Sequence, residues 1–326
     1  MPILAGDIGG TKTLLQLKEA DDVLFERCFD SAAFDTFDAL LAAFFEQTAS
    51  VGLGEVHAAC IGVAGPVDGR LARVTNLPWQ LDADVLADRF GIPRLQLIND
   101  FQAVGYGLET LADDDLKVLQ PGQTRASAPR ALIGAGTGLG EGILVWVEGH
   151  YEVLPSEGGH VDFAPTDEHQ RALLAWLSER QPRVSYEHIV SGPGLETLYR
   201  FHTVQFAGQA SASLLAALER GEGAAAISQA AEQGDGLAAQ ALDMFVKIYG
   251  AQAGNLALTC LAAGGVYIAG GIAPRMAERL SSGVFMAAFR DKGKMGELVA
   301  QYPVYLVMNP RVGLQGAAEV AVRLSP

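Results

Sequence analysis

The segment ILAGDIGGTKTLLQL, residues 3–17, decides the reading of the fold. Its centre, GDIGGTKT, departs from the P-loop pattern G-x-x-x-x-G-K-[ST] at one position, where Thr11 stands in place of glycine. A P-loop opens directly into an amphipathic helix. Here LLQLKEADDVLFERCF follows instead, two β-prone runs flanking an acidic turn at Asp21 and Asp22. The glycine-rich loop is therefore the tip of a hairpin that begins with the strand PILAGD.

Outward from this hairpin the chain alternates strand and helix. FDTFDALLAAFFEQTASVG, residues 34–52, carries apolar residues at helical spacing, and HAACIGVAGPVDG reads as a buried strand ending in a Gly-Pro turn. A helix at DADVLADRFG leads to PRLQLINDFQAVGYGLETL, a strand followed by a helix starting near Asp100. Residues 113–131 are polar and interrupted by proline, which predicts a connection between two lobes. Beyond them ALIGAGTGLGEGILVWVEGHYEVLP repeats the opening pattern of apolar strand, Gly/Thr loop and apolar strand. The loops at 6–13 and 134–142 are alike in context, which points to two related halves. Helical patterns follow, including VSYEHIVSG, GLETLYRFHTV and a long one from about Gly236 to Ala263. GGVYIAGGIAPRMAERL then predicts a strand, a Gly-Gly turn and a helix, and the chain closes with a strand and a helix.

With 326 residues, 49% of them apolar and 19% charged, the chain is that of a compact globular protein. Its net charge of −15 disfavours nucleic acid and anionic membrane as partners. Cys28, Cys60 and Cys260 are too far apart for a zinc or redox pair, so a reducing compartment is expected. The N-terminal residues lack a basic run, which argues against a signal peptide. The uncharged run at 255–272 has the length of a membrane span, but two Gly-Gly pairs divide it into a helix end and a strand.

A Gly/Thr hairpin tip can hold phosphate because its N–H groups converge and missing Cβ atoms admit a bulky oxyanion. Two such tips suit the β- and γ-phosphates of a nucleotide: Gly6, Asp7, Ile8, Gly9, Gly10, Thr11 and Lys12 in the first, Gly136, Thr137 and Gly138 in the second. The turn at Gly270 and Gly271 suits an adenine ring or ribose, or equally a tight helix–strand packing. Asp7, placed against phosphates, needs an intervening cation and reads as a partner of Mg²⁺ through water, with an Asx-turn as the alternative. Asp100 stands where a strand gives way to a helix, either as a base accepting the proton of an alcohol or as a helix cap.

Taken together, LINDFQAVGYG, GAGTGLGEGILV, PSEGGHVDFAP, HIVSGPGLETLYR, IAGGIAPR and FRDKG resemble the bacterial glucokinase family, from Gly6 to the last helix. The resemblance implies an α/β protein with a two-lobed actin-like ATPase (ribonuclease H-like) fold, duplicated α/β halves and a cleft between them. It sets a small domain at 1–110 plus 312–326 and a large domain at 111–311. It implies a cytoplasmic, homodimeric enzyme using ATP and Mg²⁺ to phosphorylate D-glucose at the entry to glycolysis, with lobe closure excluding water. Asp100 is then the general base, and Asn99, Glu157, His160 and Glu187 bind sugar with Asp100. Asn76 lies at the rim of that site with Thr75, and Trp79 belongs either there or in the core.

Three rivals fit less well. A repressor-related kinase for N-acetylated amino sugars is expected to carry a cysteine-rich zinc motif after its E-G-H element, yet VDFAPTDEHQ follows His160. A sugar-sensing regulator usually begins with a DNA-binding helix-turn-helix, whereas the first phosphate loop here starts at Gly6. An actin-like or chaperone-like ATPase has no use for Asn99 and Asp100 together with SEGGH and Glu187.

Overall fold

A computed structural model describes residues 1–48, 54–206 and 210–325. The end of the helix expected at 34–52 lies outside the described residues, and its described part runs Phe37–Thr48. The chain forms two compact units. The first comprises Met1–Asp115, His150–Pro155 and Asn309–Pro326, and the second Leu116–Gly149 and Ser156–Met308.

In the first unit the hairpin at residues 3–17 forms as its sequence requires. Ile3–Ile8 pairs antiparallel with Lys12–Glu19, from Ile3↔Lys18 to Ile8↔Thr13, leaving Gly9, Gly10 and Thr11 at the tip. Ala58–Val63 lies parallel on the other side of Ile3–Ile8, and Arg94–Asn99 is parallel to Ala58–Val63. Asp22–Asp30 forms the opposite edge. Ala58–Val63 is wholly buried and apolar, whereas Arg94–Asn99 buries only Leu95, Leu97 and Ile98. A core of Leu4, Ile8, Leu15, Phe37, Leu40, Phe44 and Ile61 fills one face of the sheet. On the other, the helices Asp100–Gly107 and Val312–Leu324 pack closely: a Cβ on Gly316 would stand 1.8 Å from the Ala103 carbonyl, and one on Gly107 2.0 Å from that of Val312. That backbone-to-backbone approach, which only glycine permits, fixes the helix that begins at Asp100.

The second unit repeats the pattern. Arg130–Ala135 pairs antiparallel with Leu139–Val147 and parallel with Val266–Ala269, leaving Gly136, Thr137 and Gly138 as the tip. Val304–Val307 follows in parallel. Leu116–Gln120 closes the edge antiparallel to it, so part of the stretch expected as a polar connection is a strand. The helix Gly236–Cys260 runs through a core that includes Phe245, Tyr249, Phe285 and Phe289. Its Tyr249 hydroxyl accepts the Ala135 N–H at 3.1 Å and donates to the Ile133 carbonyl at 3.4 Å, propping the strand that carries the second tip. The run at 255–272 resolves into the end of this helix, a turn and the strand Val266–Ala269. No helix among the described residues is long and apolar enough to cross a membrane.

Candidate active site

The first unit gathers two carboxylates at the ends of its parallel strands. Asp7 is the penultimate residue of Ile3–Ile8, and Asp100 opens the helix after Arg94–Asn99. The capping role that competes for Asp100 belongs to its neighbour: the Asn99 side-chain oxygen accepts the N–H groups of Phe101 and Gln102, at 2.9 and 3.4 Å. Asn99 Nδ2 donates to the Gly65 carbonyl at 3.1 Å. Asp100 Oδ1 accepts the Phe101 N–H at 2.8 Å, and the Asn99 side chain also hydrogen-bonds the Asp100 carboxylate.

Both acids remain half-buried and reachable by solvent, yet deep enough to be perturbed. Burial pushes Asp7 up to about 6. Asp100 is likewise pushed up to about 6, first by burial and then by the negative charge of Asp7. Neither forms an ion pair among the described residues. An uncompensated acid pair raises the basicity of both members and invites a cation.

The adjoining hairpin tip is closed by Gly9 N–H donating to the Lys12 carbonyl at 2.9 Å. Ser31, fully buried, braces it from behind: its hydroxyl donates to the Gly9 carbonyl at 3.2 Å and meets Thr13 Oγ1 at 2.9 Å, while its N–H donates to the Thr11 carbonyl at 3.0 Å. Thr11 and Lys12 are exposed. Gly6 lies farther back in the strand, where a Cβ would meet Ile61 and Leu15 within 3 Å, and the Ile8 side chain is in the core. Exposed Asn76 stands beside Gly10. Trp79 is a core residue, its indole donating to the Phe34 carbonyl at 3.2 Å.

The second unit carries two clusters. In one, His160 Nε2 lies 3.8 Å from Glu157 Oε2 and His160 Nδ1 3.7 Å from Glu187 Oε1. These separations exceed hydrogen-bond length, so the three polar groups surround one spot without consuming one another. Glu187 Oε2 is held by the Leu139 N–H at 2.9 Å, and a Cβ on Gly138 would fall 2.5 Å from that oxygen. The Glu187 stretch, expected as helix, is a turn: Val190 N–H returns to the Tyr186 carbonyl at 2.7 Å, and Ser191 caps a new helix, Gly192–Gln205.

The other cluster is a cavity of about 400 Å³ lined by Gly136, Thr137 and Gly271 together with Pro193, Glu196 and Arg275. Nothing lies within 4 Å of where Cβ atoms on Gly136 or Gly271 would stand, so both present bare backbone. Gly270, at φ +83°, passes so close to the second tip that a Cβ would meet the Ala135 carbonyl at 2.5 Å. Gly192 N–H donates to the Gly136 carbonyl at 2.8 Å, bringing the SGPG segment to the phosphate loop. Pro193, Glu196 and Arg275 were not singled out in the sequence; the Ser-Gly-Pro-Gly helix start was the available signal.

A family model described as Glucokinase matches residues 4–324. The chain belongs to the glucokinase family. It is accordingly a sugar kinase, a phosphotransferase. A glucokinase of Nostoc punctiforme is 42% identical, over 99% of each chain. The crystal structure of a glucokinase from an Antarctic psychrotroph has a TM-score of 0.87 at 32% identity, covering 99% of each chain. That of a Balamuthia mandrillaris glucokinase in complex with glucose has a TM-score of 0.81 at 26% identity, over 98% of this chain and 93% of the other. The glucokinase fold is the actin-like one, and in this member each unit carries its hairpin tip followed by a parallel strand.

Proposed function

We propose that this glucokinase transfers the γ-phosphoryl group of ATP to the 6-hydroxyl of D-glucose, with Asp100 as general base. The observation that carries the reading is Asp100 itself: half-buried at the start of a helix whose N-cap is Asn99, and pushed up to about 6 by burial and by the negative charge of Asp7. As the glucose oxygen forms its bond to phosphorus and the bond to ADP breaks, the Asp100 carboxylate accepts the hydroxyl proton. Glu157, His160 and Glu187 take sugar hydroxyls, for which paired acceptors and an imidazole are suited. Asn99 contributes the second hydrogen of its amide, while its other atoms fix the start of the helix. Asn76 stands at the rim beside Gly10.

The nucleotide phosphates are held by backbone N–H groups of Gly10 and Thr11, with Lys12, and by Thr137 and Gly138 of the second tip, while the Gly9 and Gly136 N–H groups close the two tips from within. Its nucleoside part occupies the cavity with Gly270 and Gly271 beside it. The residues fit Mg²⁺: Asp7 is a carboxylate without a cationic partner among the described residues, suited to hold the ion through water while phosphates supply the remaining ligands. When bound, Mg²⁺ neutralises phosphate charge. The enzyme works in the cytoplasm, where its three free cysteines stay reduced, and as a homodimer, which sedimentation would test.

The test is ADP release from Mg·ATP with glucose, mannose, fructose, N-acetylglucosamine or no sugar. Glucose-dependent turnover is expected. Equal ADP release without sugar would overturn the reading in favour of an ATPase.

A further inference from the structure

The cavity beside the second hairpin tip has an uneven chemistry. Gly136, Thr137 and Gly271 offer backbone and a hydroxyl, Ala224 and Ile272 offer apolar surface, and only Glu196 and Arg275 are charged. A negative side chain is an obstacle to phosphate, so its presence in a nucleotide site calls for another duty. Glu196 stands four residues, about one helical turn, after Gly192, whose N–H binds the Gly136 carbonyl. The carboxylate thus rises from the helix face that touches the phosphate loop. Its Oε1 lies 3.0 Å from where a Cβ on Gly223 would stand. Gly223 opens the helix Gly223–Glu232, which has no side-chain cap, so the Glu196 carboxylate lies at the positive end of that helix. Among the described residues Glu196 has neither an ion-pair nor a hydrogen-bond partner, and it is half-buried.

An ionised carboxylate is acceptor-only, with two oxygens set side by side. Its complement is a pair of neighbouring donors. In ATP the vicinal 2′- and 3′-hydroxyls of ribose are that pair, whereas the phosphates present acceptors and the adenine edge donates only from its N6 amino group. Resting on the reading of this cavity as the ATP site, we propose that Glu196 selects ribonucleotides by accepting both ribose hydroxyls. The enzyme then discriminates against 2′-deoxy donors at a residue that takes no part in the chemical step.

The test compares Mg·ATP with Mg·dATP at saturating glucose for the native enzyme, Glu196→Ala and the near-isosteric Glu196→Gln. The native enzyme is expected to show a KM about tenfold or more lower for ATP than for dATP, the scale of one hydrogen bond to a charged group. Glu196→Ala raises the ATP KM toward the dATP value and leaves kcat and the glucose KM unchanged. Glu196→Gln, which keeps one acceptor, falls between. Equal use of ATP and dATP by the native enzyme, or an unchanged ATP:dATP ratio in Glu196→Ala, overturns the assignment while leaving the ATP site intact. A nucleotide KM unmoved by Gly136→Val would instead remove the cavity as the ATP site, and Glu196 with it.

Discussion

The two hairpin tips share one backbone design and differ in what surrounds them. The first, between Ile8 and Thr13, is braced from behind by a neutral chain of Ser31 and Thr13 and stands next to an acid pair that forms no ion pair among the described residues. The second, between Ala135 and Leu139, has no carboxylate on its strand end; it is tied to Glu187 through Leu139 and to a helix start through Gly192. Under the proposed function a duplicated scaffold places proton and metal chemistry beside one tip, and sugar and nucleoside recognition beside the other. Backbone amides of both tips have the same proposed task, phosphate binding, so specialisation resides in residues that the hairpins merely orient.

The largest expected break in this comparison is at Asp7. Asp7→Asn should lower Mg·ATP turnover with glucose by about a hundredfold or more and raise the Mg²⁺ concentration required, as a titration of activity against Mg²⁺ would show. The next largest change, in the second unit, acts on sugar. In Gly138→Ala the added methyl displaces the Glu187 carboxylate, so the glucose KM should rise about tenfold while thermal unfolding barely changes. Ser31→Ala removes the brace behind the first tip and should raise the ATP KM only a few-fold, with a stability loss of about 1 kcal/mol and an unchanged glucose KM. Smallest of all on catalysis is Trp79→Phe, which should cost stability, from a lost indole hydrogen bond in the core, without moving either KM.

Much of the fold was legible because glycine marks it. The loops at 6–13 and 134–142 interrupt strand-like runs, and a hairpin tip is the one element that accepts that pattern. Leu116–Gln120 was hidden as an edge strand: Lys117 and Val118 are exposed, and flanking Asp and Pro residues give it the composition of a connection. The Glu187 turn was hidden by local chemistry. VSYEHIVSG has helical spacing, but Ser185 N–H donates to His188 Nδ1 at 3.0 Å and Ser191 caps the next helix, so side chains replace a continued backbone ladder. The candidate carboxylates could be named one at a time from their junctions. The fact that Asn99 performs the cap, and so frees Asp100, could not, because both residues suit either role. Glu196, Ala224 and Arg275 come from three separate segments, and only tertiary folding brings them to one cavity.

The central claim is that Asp100 is a base made reactive at the expense of stability. A carboxylate whose folded pKa is raised from 3.8 to about 6 binds more protons folded than unfolded across that window. It therefore destabilises the metal-free protein above about pH 6, and the effect fades as pH falls toward 3.8. Activity has the opposite dependence, falling as pH drops through about 6. The decisive measurement is ADP formation and thermal unfolding of Asp100→Asn in one preparation. The account predicts turnover reduced at least about a hundredfold with glucose still bound, together with a higher unfolding temperature at pH 7.5 than the native protein, a difference that shrinks toward pH 4. Turnover within a few-fold of native, or a loss of activity that merely follows a fall in unfolding temperature, would contradict it.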